Sequence, residues 1–345
     1  MPPARSNGIV YLRGQRSPAS DYHARRVQEK FSSGGRNFVG IIRISLETAV
    51  SVFRSMSCAG FIALHRVGFS AVCRLYCLNA HFARFIQLVR MTVALFVPCY
   101  LDQFYPDVPI ATLELLERLG VEVVYPEGQT CCGQPMANTG CNSETEPVAK
   151  RFVEMFADYE TIVCPSGSCT AMVRQHYGDY FADDDPAYNH VRDRTFDLCE
   201  YLHDELQVSE LDVQFPHRVS LHKSCHGLRE LRMASCSESM TPRVDKVRSI
   251  LDLVGGIQWC QPERDDECCG FGGTFAVNEP DVSAAMGRDR VQDHIQSGSE
   301  VLASADMSCL MHLQGLIRRE KRPIQVMHVA QILVGRPVYN AAETH

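Results

Sequence analysis

Thr130-Cys131-Cys132-Gly133-Gln134 and Glu267-Cys268-Cys269-Gly270-Phe271 are two occurrences of one unusual tripeptide, Cys-Cys-Gly, in a chain of 345 residues. The surroundings repeat with it. Cys99 lies upstream of Cys131 with 31 residues between them, and Cys169 lies downstream of Cys132 with 36 between. In the second occurrence Cys225 is separated from Cys268 by 42 residues, and Cys309 from Cys269 by 39. The order is kept and the spacing lengthened, as insertions into a duplicated unit would leave it, so the chain reads as two tandem repeats.

The residues around the cysteines set the fold class. Each repeat opens with a short apolar run, Val93 to Val97 and Val219 to Leu221, that reads as a buried strand ending near its first cysteine. Amphipathic helices follow over about Val108–Leu119 and Val244–Val254, stopped by Gly120 and by Gly255-Gly256. Strands resume at Val121 to Tyr125 and Ile257 to Cys260. After each Cys-Cys-Gly come a glycine-rich loop, a helix (near Glu144 to Ala157 and Pro280 to Ser297) and a third strand (Thr161 to Cys164 and Glu300 to Ala303). A last helix starts near Ser168 or Ser308, and the tail adds a strand over Pro323 to Met327 and a helix over His328 to Val334. The alternation predicts an α/β protein of two βαβ-type cysteine-rich domains with parallel sheets, residues 91–215 and 216–345. Their cysteines then fall on loops at the carboxyl ends of strands, where such sheets place ligands.

Composition limits the function. With 45% apolar and 22% charged residues the chain is of ordinary globular composition. Residues 1–90 carry 13 Lys and Arg against 3 Asp and Glu, whereas the remainder carries 21 against 38. The acidic main body lacks the basic stripe needed to neutralise phosphates, so no nucleic-acid partner is expected. No membrane span is expected either, because Phe61 to Leu88 is broken by His65, Arg66, Arg74, His81 and Arg84. The basic segment 1–90 has the composition of an organelle presequence, but it is long for one, and its Cys58, Cys73 and Cys77 form no Cys-x-x-Cys pair. The favoured reading is an extended coding frame, with translation starting at Met91.

Sixteen cysteines without a secretory signal peptide point to reduced, metal-binding thiols. Sulfur-only ligation selects zinc or an iron-sulfur cluster. Zinc sites draw on Cys-x(2 to 4)-Cys knuckles; adjacent cysteines, whose side chains diverge in extended backbone, suit two irons of a larger cluster better than one small ion. The candidate ligands are Cys99, Cys131, Cys132 and Cys169 for one site and Cys225, Cys268, Cys269 and Cys309 for the other. A vicinal disulfide switch would leave four of these without a role. Cys141, Cys164, Cys199, Cys236 and Cys260 break the repeat and read as buried thiols. His222 and His226 flank Cys225, and His312 follows Cys309 by three residues; each could hydrogen-bond a cluster sulfur or move a proton, although a loop histidine satisfied by backbone or solvent is the commoner outcome. Gly270-Phe271-Gly272-Gly273 lacks the Lys-Ser/Thr of a P-loop and the spacing of a dinucleotide fingerprint, so nucleotide binding is not indicated.

The duplicated Cys-x31-Cys-Cys-Gly pattern resembles the cysteine-rich domain (CCG) family, as do Pro165-Ser166-Gly167-Ser168-Cys169 and Asp306-Met307-Ser308-Cys309-Leu310-Met311-His312. The resemblance runs over residues 91–345 and is nearest to the lactate-utilization branch. Related proteins are the cysteine-rich component of heterodisulfide reductase and the iron-sulfur subunits of glycolate oxidase and anaerobic glycerol-3-phosphate dehydrogenase. It implies a cytoplasmic electron-transfer subunit of a complex oxidising L-lactate to pyruvate, with one iron-sulfur cluster of [4Fe-4S] type in each repeat. The alternatives are a heterodisulfide reductase-like thiol-disulfide oxidoreductase and an assembly module with zinc in one or both sites. The heterodisulfide reductase component ends each repeat in Cys-x-x-Cys; here Ser166 and Asp306 replace the first cysteine of each pair. No ferredoxin-type Cys-x2-Cys-x2-Cys-x3-Cys occurs, so the resemblance implies a separate ferredoxin-like iron-sulfur subunit and a further lactate utilization subunit as partners.

Overall fold

A computed structural model describes residues 92–239 and 241–338. The expectations for the basic segment, with Cys58, Cys73 and Cys77, lie outside the described residues.

The repeats build two four-stranded sheets of one topology. In the first, β1 (Thr92–Leu95), β2 (Glu122–Val124), β3 (Ile162–Cys164) and β4 (Thr195–Asp197) lie in the order β2-β1-β3-β4. In the second, β5 (Arg218–Leu221), β6 (Gln258–Trp259), β7 (Val301–Ser304) and β8 (Gln325–His328) lie in the order β6-β5-β7-β8. All pairings are parallel, with Ala94 opposite both Val124 and Ile162, and Val219 opposite both Trp259 and Val301. The α/β class and the tandem parallel repeats expected from the sequence are thus present. No helix among the described residues is long and apolar enough to cross a membrane.

Strand order explains the position of the cysteines. The chain leaves β1 toward β2 on one side and returns to β3 on the other, so the winding reverses between β1 and β3, and likewise between β5 and β7. A crevice opens beyond the carboxyl ends of strands at such a reversal. Cys99 follows β1 and Cys169 follows β3; Cys225 follows β5 and Cys309 follows β7. The central strands are the apolar runs read from the sequence, and Val93, Ala94, Val163, Val219, Val301 and Ala303 are buried as a strand covered on both faces requires.

Helix boundaries follow their caps. Asp107–Arg118 ends before Gly120, whose φ of +80° suits a residue without Cβ. The helix expected from Val244 starts instead at Lys246, because the Asp245 carboxylate accepts the Arg248 N–H at 2.9 Å and caps it there. One apolar core serves both sheets: Leu115, Leu116, Leu198 and Leu202 of the first repeat join Leu221, Ile250, Ile332 and Leu333 of the second. Arg336 pairs with Glu114 at 3.0 Å across the same junction.

Candidate functional site

Each Cys-Cys-Gly loop is pinned above its crevice by side chains from elsewhere. In the first repeat Gln129 accepts the Val97 N–H at 2.9 Å and donates to the Leu95 carbonyl at 2.8 Å, fixing the loop to the end of β1. The Tyr177 hydroxyl donates to the Cys132 carbonyl at 2.8 Å. In the second repeat Lys223 pairs with Asp245 at 3.3 Å and with Asp265, holding the approach to Cys268. Ser166 and Asp306 are helix caps. Ser166 Oγ accepts the Cys169 N–H at 3.4 Å and Asp306 accepts the Ser308 N–H at 3.0 Å. Each therefore starts the helix that carries the last cysteine of its repeat.

The eight predicted cysteines fall into two groups. Cys132 and Cys169 have sulfurs 3.4 Å apart, and Cys131 hydrogen-bonds both Cys99 and Cys132. In the second repeat Cys268 bonds Cys225 and Cys269, and Cys269 bonds Cys309. All eight are unpaired thiols. The remaining cysteines stay out of these bonds, but only two are buried as expected: Cys199 and Cys164, whose thiol donates to the Ser166 carbonyl at 3.7 Å, whereas Cys141 is exposed and Cys236 and Cys260 are half-buried.

Crowding decides the charge. Donation from Cys132, then from Cys99, and from the Gly133 N–H pulls Cys131 down to about 3. Cys225, then Cys269, and the Gly270 N–H pull Cys268 down to about 2. Their neighbours Cys99 and Cys225 are pushed up, first by that same donation and then by burial. Each group thus holds one ready thiolate, and four thiols in a half-buried space cannot all ionise unless a cation joins them. That donor set fits a soft metal or an iron-sulfur cluster.

Backbone geometry fits the same demand. Gly133 and Gly270 have φ of +85° and +83°, which turns their N–H groups onto Cys131 and Cys268 Sγ, both at 3.3 Å. A Cβ on Gly270 would lie 2.6 Å from Met286 Cβ and 2.8 Å from the Ser283 carbonyl, whereas on Gly133 the nearest atom is Thr145 Cγ2 at 3.2 Å. Gly270→Ala is therefore expected to lower stability by about 3 kcal/mol or more and to deplete metal selectively from the second site, with Gly133→Ala milder. Metal content and thermal melts of the two variants check the ranking.

His222 is 1% exposed, and one of its ring nitrogens lies within 4.8 Å of the sulfurs of Cys269 and Cys309. Its Nδ1 accepts the Arg290 Nε–H at 3.2 Å, and its Nε2 is buried without a partner. Burial, reinforced by the Arg290 charge, pulls it down to about 3, so it is neutral. His226 instead faces Gln134 Nε2 at 3.2 Å, and His312 meets the Ser283 carbonyl at 3.2 Å.

Sequence reading misses two groups beside these sites. Arg290, fully buried, bonds Asp293 at 2.8 Å as well as His222. Asp197, fully buried at the end of β4, has one oxygen accepting the Cys199 N–H at 2.8 Å and the other unpartnered. Burial pushes its carboxyl up to about 8. Unfolded, it would ionise near ~3.9. The folded chain therefore keeps a proton that the unfolded chain loses, and stability falls as pH rises between those values by about 1.4 kcal/mol per pH unit. Asp197→Asn retains the bond to Cys199 and removes that dependence. Its stability relative to the parent is expected to rise by about 2 to 3 kcal/mol between pH 5.5 and 7.5, read from denaturant titrations at both pH values.

The chain matches the cysteine-rich domain (CCG) family over residues 93–174 and 219–314. Lactate utilization protein A of an Exiguobacterium species is 41% identical over 247 residues, 70% of this chain and 96% of that protein. The protein of the same name from Halalkalibacterium halodurans is 39% identical over 247 residues, again 70% and 96%. That from Bacillus subtilis is 38% identical over 250 residues, 71% of this chain and 100% of the relative.

Proposed function

We propose a function on the premise that the chain belongs to the cysteine-rich domain (CCG) family: it is the electron-transfer subunit of a lactate utilization system, holding one iron-sulfur cluster of [4Fe-4S] type in each repeat. The observation that carries this reading is the convergence of four thiols on each of two crevices at the carboxyl ends of parallel strands. Cys99, Cys131, Cys132 and Cys169 hold the first cluster; Cys225, Cys268, Cys269 and Cys309 hold the second. Bound there, such a cluster supplies one-electron redox chemistry. The glycine N–H groups orient the sulfurs, and Ser166 and Asp306 fix the helices bearing Cys169 and Cys309. The two electrons and two protons that leave L-lactate as it becomes pyruvate require a partner that binds the hydroxy acid. The proposed partners are a ferredoxin-like iron-sulfur subunit and a further lactate utilization subunit, assembled in the cytoplasm.

Anaerobic purification followed by iron, acid-labile sulfide and zinc analysis with EPR tests the cluster assignment. Iron and sulfide in similar amounts with a reducible EPR signal are expected. Zinc without iron would replace this reading with that of an assembly module.

A further inference from the structure

We infer that the two thiol sites are not redox equivalents: the second, under His222, is the stronger electron acceptor. The inference rests on the proposed clusters and concerns what this chain's residues do to them.

The repeats are superimposable in order but not in the side chain that roofs the site. Counting back three residues from the first cysteine gives Phe96 in one repeat and His222 in the other. Phe96 is fully buried and packs edge-on to Phe152 at 4.8 Å and Phe156 at 5.8 Å, in an apolar cluster that also contains Cys132 and Cys169. His222 stands over Cys269 and Cys309.

The proton on His222 can be placed. A guanidinium N–H only donates, so the Nδ1 that faces Arg290 Nε must carry the lone pair, and in the neutral ring the hydrogen then sits on Nε2. Ligation through Nε2 would need the opposite tautomer and would set two N–H groups against each other at Arg290. The unpartnered Nε2–H is then left free to donate to the sulfurs of a bound cluster, and His222 is not a ninth ligand.

Backbone donors do not distinguish the two sites. Backbone N–H groups reach two sulfurs in each site, Gly270 to Cys268 at 3.3 Å and Phe271 to Cys269 at 3.4 Å in the second, Gly133 to Cys131 at 3.3 Å and Tyr100 to Cys99 in the first. Uptake of one electron adds one negative charge to a cluster and its thiolates, with no bond made or broken. The His222 N–H stabilises that charge, whereas the Phe96 ring at the corresponding position does not, so reduction is favoured at the second site.

Redox titration of the intact, anaerobically purified protein by EPR tests this. Two midpoint potentials are expected, and Cys269→Ser should abolish the higher. His222→Phe, which copies the first repeat, should lower the higher midpoint by about 59 mV, a tenfold change in its reduction equilibrium, at unchanged iron content; His222→Gln, which keeps an N–H donor, should lower it less. Protein carrying 15N-labelled histidine should show a weak nitrogen coupling on the high-potential signal alone, a readout that needs no variant to fold. Coincident midpoints, an unshifted higher midpoint in an iron-replete His222→Phe, no nitrogen coupling, or a coupling as strong as that of a ligating nitrogen would each overturn the inference and leave the cluster assignment standing. Protein without iron would instead remove the assignment itself.

Discussion

Cys132→Ser is expected to remove about half of the bound iron and Cys269→Ser the other half, each abolishing one EPR signal and sparing its counterpart. Both side chains are buried and bond two other thiols of their group. Loss of either therefore leaves three sulfurs around a space shaped for four. A serine hydroxyl is too weakly acidic to supply the missing anion at neutral pH and is a harder donor than a thiolate. Cys141→Ser and Cys236→Ser should leave the iron unchanged, since neither takes part in the thiol bonds of either group. Iron analysis of the four variants decides the matter. Equal loss across all four, or retention in the two doublet variants, would sink the assignment of ligands.

Purified alone and fully loaded with iron, the protein is expected to show no steady lactate turnover with an acceptor dye, and turnover should appear when the partner subunits are added. Removing hydrogen from the hydroxy-bearing carbon of lactate requires a group that takes a hydride or an electron pair at the substrate. The sequence offers neither a dinucleotide fingerprint nor a recognisable flavin site. The loop that most resembles a phosphate cradle, Gly270 to Gly273, instead spends the N–H groups of Gly270 and Phe271 on cysteine sulfur. Steady turnover by the isolated chain, lost in Cys132→Ser or Cys269→Ser, would place the catalytic site here and refute the electron-carrier reading.

Much of this architecture is legible because the central strands are uniformly apolar and the cysteines mark their ends. β1, β3, β5 and β7 differ from their expected bounds by only a residue or two, and the Cys-Cys-Gly loops lie where the alternation puts them. β4 is not legible. Its three residues, Thr195-Phe196-Asp197, follow a helix rich in charge and end in an acid, which nothing local marks as buried; only pairing with β3 and the resulting shift in its ionisation reveal it. The duplication itself holds a clue, since the tail of the second repeat reads as a strand and β4 is its counterpart. His222 is a candidate from its place beside Cys225, but the tautomer that defines its role depends on Arg290, 68 residues away. Ser166 and Asp306 are visible only as missing cysteines, because capping is a property of the helix start and not of the residue type alone.

Asp306 does more than start its own helix. Its second oxygen accepts the Ser168 N–H at 2.7 Å, and the Tyr100 hydroxyl lies 3.0 Å from Ser166 Oγ and 3.4 Å from Asp306 Oδ1. The residue that departs from the cysteine pattern in one copy is thus wired into the other copy. Asp306→Cys would enlarge the thiol set of its own repeat and, in the same event, withdraw the acceptor from the Ser168 N–H beside Cys169 in its sister. The two repeats are therefore mechanically coupled at this point, and a substitution at position 306 is expected to disturb the helix start that carries Cys169 as well as the one that carries Cys309.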